Sequence, residues 1–254
     1  MSQSLGVLLS CRSLLVLSLA LVACGDPWMD AARVADRTEV IVVPVPRGPS
    51  PPTAFGDAVV ATLARAAEAD AIFVEVPPSD LARIEAAGAR DPWVQAMPDV
   101  GALLAVARAS GASVEPVSGW TAEVGRDWRA FITRGLPSDA LYRRAHDHRV
   151  REDQDHGDEL DWVLGEARRR LVEWEWRALE GAVPGALGAA APSRVGAAHE
   201  AAFRAALDRH HGERILVAID AKHASRIERA AGSDPDVRVV SPLAFESALD
   251  ALGE

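Results

Sequence analysis

The sequence predicts an α/β fold: a mostly parallel sheet flanked by helices, with a helical insertion between the third and fourth strands. Short runs rich in valine and isoleucine alternate with helical patterns, which is typical of parallel strands joined by helical crossovers. The first run, 39–45, is apolar after Glu39, as expected for a strand buried on both faces of the sheet. Between 119 and 212 this alternation stops, and apolar residues recur at helical spacing instead.

Three strands are predicted before the insertion and two after it. Ser79 is expected to cap the helix that follows the second strand, and Gly88 to end it. Pro116 favours an edge position for the third strand, because proline donates no ladder hydrogen bond. Ser241 is expected to cap the last helix. The predicted strands are 39–45, 70–76, 112–117, 214–219 and 237–240; the predicted helices are 54–69, 80–87, 99–109, 158–182, 195–211, 224–231 and 242–252.

The N-terminus predicts export and lipid anchoring. Residues 14–22 are apolar over the length of a signal-peptide core, which is too short to span a bilayer. The residues Leu-Val-Ala-Cys at 21–24 resemble the lipobox of bacterial lipoproteins. This resemblance implies a signal peptide of residues 1–23 and an acylated Cys24, followed by a tether over 24–38 and a domain over 39–254. The alternatives are an ordinary signal peptide cut nearby and a buried N-terminal helix.

A lipidated Cys24 implies a protein of the cell envelope that touches the membrane through its lipid. Gly25 and Asp26 do not clearly signal retention at an inner membrane, so the outer membrane is favoured if the source has two membranes. The short tether makes an envelope substrate or protein partner the natural expectation.

Composition excludes several other classes. The net charge of −10 argues against a nucleic-acid partner. The only other cysteine, Cys11, lies in the signal, so the mature domain has neither a disulfide nor a cysteine metal site. There is no P-loop, Gly-x-Gly-x-x-Gly or Gly-x-Ser-x-Gly motif, which weakens nucleotide-binding and serine-hydrolase interpretations.

Polar residues follow two of the predicted strands. Glu75 ends the second strand, and Asp220 and His223 stand where the fourth strand passes into its helix. Ligands of parallel sheets bind beyond the carboxyl ends of the strands. Glu75 and His223 are therefore candidate ligands of a divalent metal, or with Asp220 a catalytic acid/base set. The alternative is that Glu75 pairs locally and His223 only begins a helix.

The same segments resemble a known group of proteins. Residues 70–78 (Asp-Ala-Ile-Phe-Val-Glu-Val-Pro-Pro) are similar to the strand ending in glutamate of the TraB/GumN group and its ChaN-like and erythromycin-esterase-like relatives. Residues 214–223 are similar to that group's late strand, followed by a turn and a histidine. The resemblance implies metal-assisted hydrolysis with Glu75 and His223 at the site.

The sequence departs from that group at two positions and leaves the activity open. Members usually have a Gly-x-x-His after the first strand, whereas residues 43–48 contain no histidine. The small glycine expected ahead of the late histidine is also replaced, since Asp220 and Lys222 flank Ala221. A degenerate, non-catalytic relative is therefore an alternative to a hydrolase. A third hypothesis is a binding or scaffolding lipoprotein that presents its insertion, 119–212, to a partner.

Two other histidine sets are weaker candidates for a site. His146, Asp147, His148 and His156 offer metal-binding side chains, but mixed-charge runs of this kind are usually solvated surface. His199 and His210 share a helical face with Phe203 and Ala206. We expect that face to be a half-buried interface whose histidines are satisfied by backbone or carboxylate partners.

Overall fold

Five parallel strands form one sheet with helices on both faces, in the computed structural model, which describes residues 37–47 and 51–252. The strands are β1 (Thr38–Val45), β2 (Ala71–Val74), β3 (Ser113–Pro116), β4 (Arg214–Asp220) and β5 (Val237–Val240). Their order across the sheet is β3-β2-β4-β1-β5. The predicted α/β class is confirmed. The signal peptide, Cys24 and nearly all of the tether lie outside the described residues.

Helices connect successive strands, those between β3 and β4 make up the insertion, and the last helix follows β5. They are α1 (Asp57–Ala66), α2 (Leu81–Ala87), α3 (Pro92–Ala96), α4 (Pro98–Ser110), α5 (Ala122–Arg134), α6 (Ala140–His156), α7 (Leu160–Leu164), α8 (Glu166–Ala182), α9 (Pro192–Leu207), α10 (Ala221–Gly232) and α11 (Glu246–Asp250), with short 3-10 turns at Gly88–Arg90, Gly188–Ala190 and Pro242–Phe245.

Each face of the sheet contributes to a separate core layer, because successive strand residues point to opposite faces. Ile41 and Val43 pack with α1 and α4 on one face. Val40 and Val42 pack with α9 and α10 on the other. Complete burial of such side chains stabilises the fold by about 1.5–3 kcal/mol each relative to exposure. The two layers fix α9 and α10 on the same side of the sheet.

The order of the strands creates a crevice at the carboxyl ends of β2 and β4. The chain leaves β2 towards β3 at one edge of the sheet, whereas it leaves β4 towards β5 at the other edge. Neighbouring parallel strands whose connections diverge in this way open a ligand crevice between them. Glu75 directly follows β2, and Asp220 ends β4. Both predicted strand ends therefore meet at this crevice.

The prediction that β3 is an edge strand is confirmed, since among the described residues only β2 pairs with it. The predicted helix 158–182 is wrong in one respect, because extended backbone at Gly165 divides it into α7 and α8. Ser79 is also not the cap: the helix begins at Leu81 after Asp80, whose side chain makes no capping hydrogen bond. Ser241 does cap the last segment, but that segment starts as a 3-10 turn.

Two helices of the insertion, α5 and α6, were not predicted. Their starts are marked by Thr121 and Asp139, whose side chains accept hydrogen bonds from the first-turn amides. Of the helices in the described residues, none is both long and apolar enough to cross a bilayer.

Candidate functional site

Glu75 lies at the centre of the crevice and is 3% exposed. Its Oε1 lies 3.0 Å from Nε2 of His199, and its Oε2 accepts the backbone N–H of Asp220 at 2.7 Å. Arg47, in the segment after β1, brings its Nε to 3.2 Å from the same Oε2. A buried carboxylate is costly unless it is paired and hydrogen-bonded, and here both oxygens have partners.

His199 reaches Glu75 from α9 and is completely buried. Its Nδ1 lies 2.9 Å from the carbonyl oxygen of Val195, one turn earlier. The helix can approach this closely because residue 119 is glycine: a Cβ there would lie 2.6 Å from the Cβ of Ala198 and 2.8 Å from the backbone nitrogen of His199. Gly119 thus sets the position of His199.

His223 lies in the first turn of α10, 2% exposed, with its ring stacked on that of His199 at 4.3 Å between centroids. Asp220 caps this helix by accepting the N–H of Lys222 at 3.1 Å. Within the described residues, Nε2 of His223 is buried and has no hydrogen-bond partner. An unpartnered buried nitrogen costs about 1–3 kcal/mol, so its retention calls for a ligand or another compensation.

The charges around the crevice are strongly coupled. Burial alone would raise the pKa of Glu75, but the hydrogen bond from His199 and the positive charge of Arg47 outweigh it and hold that pKa well below its usual range. Burial, together with the charge of His199, holds the pKa of His223 well below its usual range. Glu75 is therefore ionised and His223 neutral at pH 7.

Arg47 joins Glu75 to a second buried carboxylate, Asp99 at the start of α4. Its two terminal nitrogens contact the two oxygens of Asp99 at 3.3 and 3.1 Å, a fork geometry that favours arginine. Burial raises the pKa of Asp99 in spite of this pairing. Arg47 thus holds the segment after β1 against the crevice.

The hydrogen bonds of His199 limit what can lie between it and Glu75. A backbone carbonyl only accepts, so Nδ1 of His199 carries a proton and donates it to Val195. Nε2 and the Glu75 carboxylate are then both acceptors unless a proton or a metal cation lies between them. A ring N–H donated to a backbone carbonyl is also the usual support of a metal-binding histidine.

The donor set fits a divalent ion in its chemistry. One ligand atom from each of Glu75, His199 and His223 lies within 4.8 Å of the others. Two imidazoles and a carboxylate form the ligand set of several zinc and iron(II) sites. Bonds of about 2.1 Å require ligand atoms to be roughly 3–4 Å apart, so binding must draw the three groups together slightly.

A cleft of about 910 Å³ opens above this cluster. Its floor includes Glu75 and Asp220, together with Arg47 and Lys222. Lys222 is the only lysine of the chain, and its Nζ pairs with Asp220 at 2.8 Å and lies 4.9 Å from the centre of the Trp176 ring. The crevice is therefore open to ligands on one side, although the metal-binding set itself is buried.

The structure brings Glu75, Asp220 and His223 together, as the strand ends predicted. It adds His199, which the sequence placed on an apolar helical face without identifying its carboxylate partner. His210, on the same face, lies apart from the crevice and contacts Glu115 and Glu213. The spacing of His199 with Phe203 indicated a buried helix face. Which residues that face contacts depends on how α9 packs, and the spacing does not predict it.

The histidine-rich stretch does not assemble into a site. His146 pairs with Glu175, His148 with Glu152 and His156 with Glu159. His148 and His156 are more than 40% exposed. In the described part of the chain, the only group of three or more potential ligands close enough to hold an ion is Glu75, His199 and His223.

No family model, no curated protein and no solved structure matches this chain.

Proposed function

We propose that this protein is a metal-dependent hydrolase of the cell envelope, distantly related to the TraB/GumN group and anchored through Cys24. The observation that carries the catalytic part is the unpartnered Nε2 of His223, buried beside Glu75 and His199. A purely structural ion pair would need only Glu75, His199 and Arg47. The additional neutral imidazole instead completes a ligand set for a divalent ion.

Glu75, His199 and His223 would hold the ion, and the cleft residues would act on the substrate. A bound divalent ion polarises a carbonyl or phosphoryl oxygen of the substrate. Lys222 places positive charge on the cleft floor, where it would stabilise an oxyanion that forms during hydrolysis. Asp220 is within 2.8 Å of Lys222, and its Oδ2 is the carboxylate oxygen that would accept a proton from an attacking water.

Hydrolysis can be tested with the full chain and a panel of carboxylic esters, phosphoesters and peptides that carry a coloured leaving group. We expect turnover to require added Zn²⁺ or Mn²⁺ and to stop with a chelator. Glu75→Gln and His223→Leu should lower the rate by about 100-fold or more, since each removes a ligand of the ion. Glu85→Gln, an exposed glutamate on α2, is the matched control and should leave the rate unchanged.

Two results would contradict this proposal. Metal binding without turnover on any ester or peptide would favour the degenerate relative. Turnover that is indifferent to the metal and to the Glu75 and His223 variants would place the reaction elsewhere.

The anchoring part of the proposal has its own experiment. Cells that express the full chain are labelled with an alkyne analogue of palmitate, and the membrane fraction is examined. We expect label and membrane association in the wild type and the loss of both in Cys24→Ser. An unlabelled wild-type protein would contradict the lipid anchor.

A second candidate function is a binding lipoprotein that presents its insertion to a partner. The observation that favours it is a short segment with three exposed apolar side chains, Ile132, Leu136 and Leu141, each more than 50% exposed. Isolated exposed apolar residues are common, but a local group favours an interaction surface. Replacing all three with serine should abolish the partner interaction of the full chain and leave metal-dependent turnover unchanged.

A further inference from the structure

The cleft above the cluster has one wall that combines arginine with tryptophan. One face of helix α5 lines the cleft. This face carries Gly125, Arg126, Trp128 and Arg129 at helical spacing. Trp120, just before the helix, extends this wall. Trp93 and Met97, from α3 and the residue before α4, also line the cleft, so two separate segments supply aromatic and apolar surface.

Most charges of the cleft are neutralised by neighbours. Arg47 is paired with Glu75 and Asp99, and Lys222 with Asp220. Asp80, which also lines the cleft, has Arg83 at 3.6 Å. Pairing of this kind weakens the attraction of these residues for an anionic ligand.

Arg126 and Arg129 are the exceptions. Across the part of the chain that the structure describes, neither guanidinium has a carboxylate within ion-pair distance or a hydrogen bond. Both are exposed at the mouth of the cleft. Because the chain as a whole carries a charge of −10, two unpaired arginines beside one cleft are a local reversal of sign.

A second cavity of about 810 Å³ shares the floor residues Arg47, Asp220 and Lys222 but differs in the pairing of its other arginines. Its arginines, Arg149 and Arg168, both contact Asp153. That cavity is lined by a closed ion network. Of these two cavities, only the cleft between α5 and Trp93 is lined by unpaired arginines in the described residues.

We infer that the cleft binds a small organic anion with an aromatic or apolar body, whose negative group lies against Arg126 and Arg129. The volume matches a ligand of that size. Tryptophan rings supply broad contact surface for a flat body, and arginine supplies donors in the planar arrangement that carboxylates, sulfonates and phosphates accept. That such an anion is also the substrate class rests on the proposed function; the binding does not.

Three probe compounds distinguish the contribution of the aromatic body to binding from that of the negative charge. 2-Naphthalenesulfonate has both the ring system and the anion. Naphthalene-2-sulfonamide keeps the ring system without the charge, and methanesulfonate keeps the charge without the ring system. Binding to the full chain is measured by isothermal titration calorimetry in the presence of a chelator, so that the outcome does not depend on a metal.

We expect 2-naphthalenesulfonate to bind at least about fivefold more tightly than the sulfonamide, a preference of the size that two exposed charge contacts give. Methanesulfonate should bind at least about tenfold more weakly, because the tryptophan contacts are lost. The preference for the anion should shrink between about 20 and 200 mM salt, as screening by salt requires.

The variant Arg126→Gln/Arg129→Gln should remove the preference for the anion and leave the affinity for the sulfonamide unchanged. Arg143→Gln/Arg144→Gln makes the same change of charge on exposed residues of α6, outside the cleft, and should have no effect. Equal affinities for the two naphthalene probes would overturn the inference, and so would a preference that survives in the Arg126/Arg129 variant.

The connection with hydrolysis is tested separately. If the anion is of the substrate class, 2-naphthalenesulfonate inhibits metal-dependent turnover competitively, and Arg126→Gln/Arg129→Gln raises KM more than it lowers kcat. Loss of turnover in His223→Leu, a variant outside the lining of the cleft, with unchanged probe binding keeps the two claims distinct. Binding without competition would overturn the assignment of the substrate class.

Discussion

Glu75 and His199 are in contact at 3.0 Å although they stand 124 residues apart in the chain. The contact joins the end of β2 to the insertion helix α9 inside the fold. Since Nδ1 of His199 donates to a backbone carbonyl, Nε2 meets the carboxylate through a proton or a bound cation. This single contact connects the stability of the domain with its capacity to bind a metal.

The two stacked histidines should differ in their effect on stability. His199 has partners at both ring nitrogens, whereas Nε2 of His223 has none in the described residues. In chelator, His199→Leu should lower the free energy of unfolding by about 3–5 kcal/mol, because the buried Glu75 loses a partner. His223→Leu should change it by no more than about 1 kcal/mol, since the removed nitrogen was unsatisfied. Urea unfolding measures both; equal losses would show that His223 is structural.

Gly119→Ala should disturb the site from outside it. The new Cβ would meet Ala198 and the backbone of His199 below 3 Å, so α9 must move. We expect a loss of about 1–3 kcal/mol in unfolding free energy and metal binding weakened by about 10–100-fold. Gly181→Ala on α8 is the control, because a Cβ there would meet no atom of the described residues within 4 Å. Unchanged metal affinity in Gly119→Ala would disprove the positioning role.

Arg47 and Asp99 should be energetically coupled. Two hydrogen bonds join their side chains, and both side chains are largely buried. A double-mutant cycle with Arg47→Met and Asp99→Leu, measured by urea unfolding, should therefore give a coupling free energy of about 0.5–3 kcal/mol. The exposed pair of Arg170 and Glu166 on α8 serves as the control and should give a much smaller value. Comparable values for the two pairs would mean that the fork does not fix the segment after β1.

The contribution of His210 to the free energy of unfolding should decrease as the pH rises. Burial alone would lower its pKa, but its hydrogen bonds to Glu115 and Glu213 raise it above the usual value. When the pKa of a histidine is higher in the folded than in the unfolded chain, the histidine stabilises the folded state. This contribution is complete below the pKa of the unfolded chain, about 6.5, and disappears as the pH rises through the pKa of the folded state. The difference in unfolding free energy between wild type and His210→Gln should therefore shrink from about pH 6.5 upward. A difference that stays constant or grows with pH would refute this.

The strands and the crevice were predictable because their signals are local. Residues 40–45 are apolar throughout, and Glu75 and Asp220 interrupt apolar runs at their ends. Parallel strands bring such ends to the same edge, so the proximity of Glu75 and His223 followed from the fold class. The edge position of β3 followed in the same way from Pro116.

The role of His199 was not predictable from its neighbours. Its spacing with Phe203 indicates a buried face and nothing about what that face meets. The partner is decided by the approach of α9 to residue 119, a contact between segments about eighty residues apart. The sequence did not predict the division at Gly165, because the helical spacing of apolar residues continues through this position. The backbone there is extended and ends the helix. The lipid anchor at Cys24 stays a prediction.

Binding of Co²⁺ to the full chain, followed by its visible absorption, tests the metal site most directly. We predict a single Co²⁺ bound per chain, with an absorption band that is lost in Glu75→Gln, His199→Leu and His223→Leu. The band should be retained in His148→Gln, which alters an exposed histidine of α6. Absence of the band, or a band that survives all three cluster variants, would contradict a metal site formed by Glu75, His199 and His223.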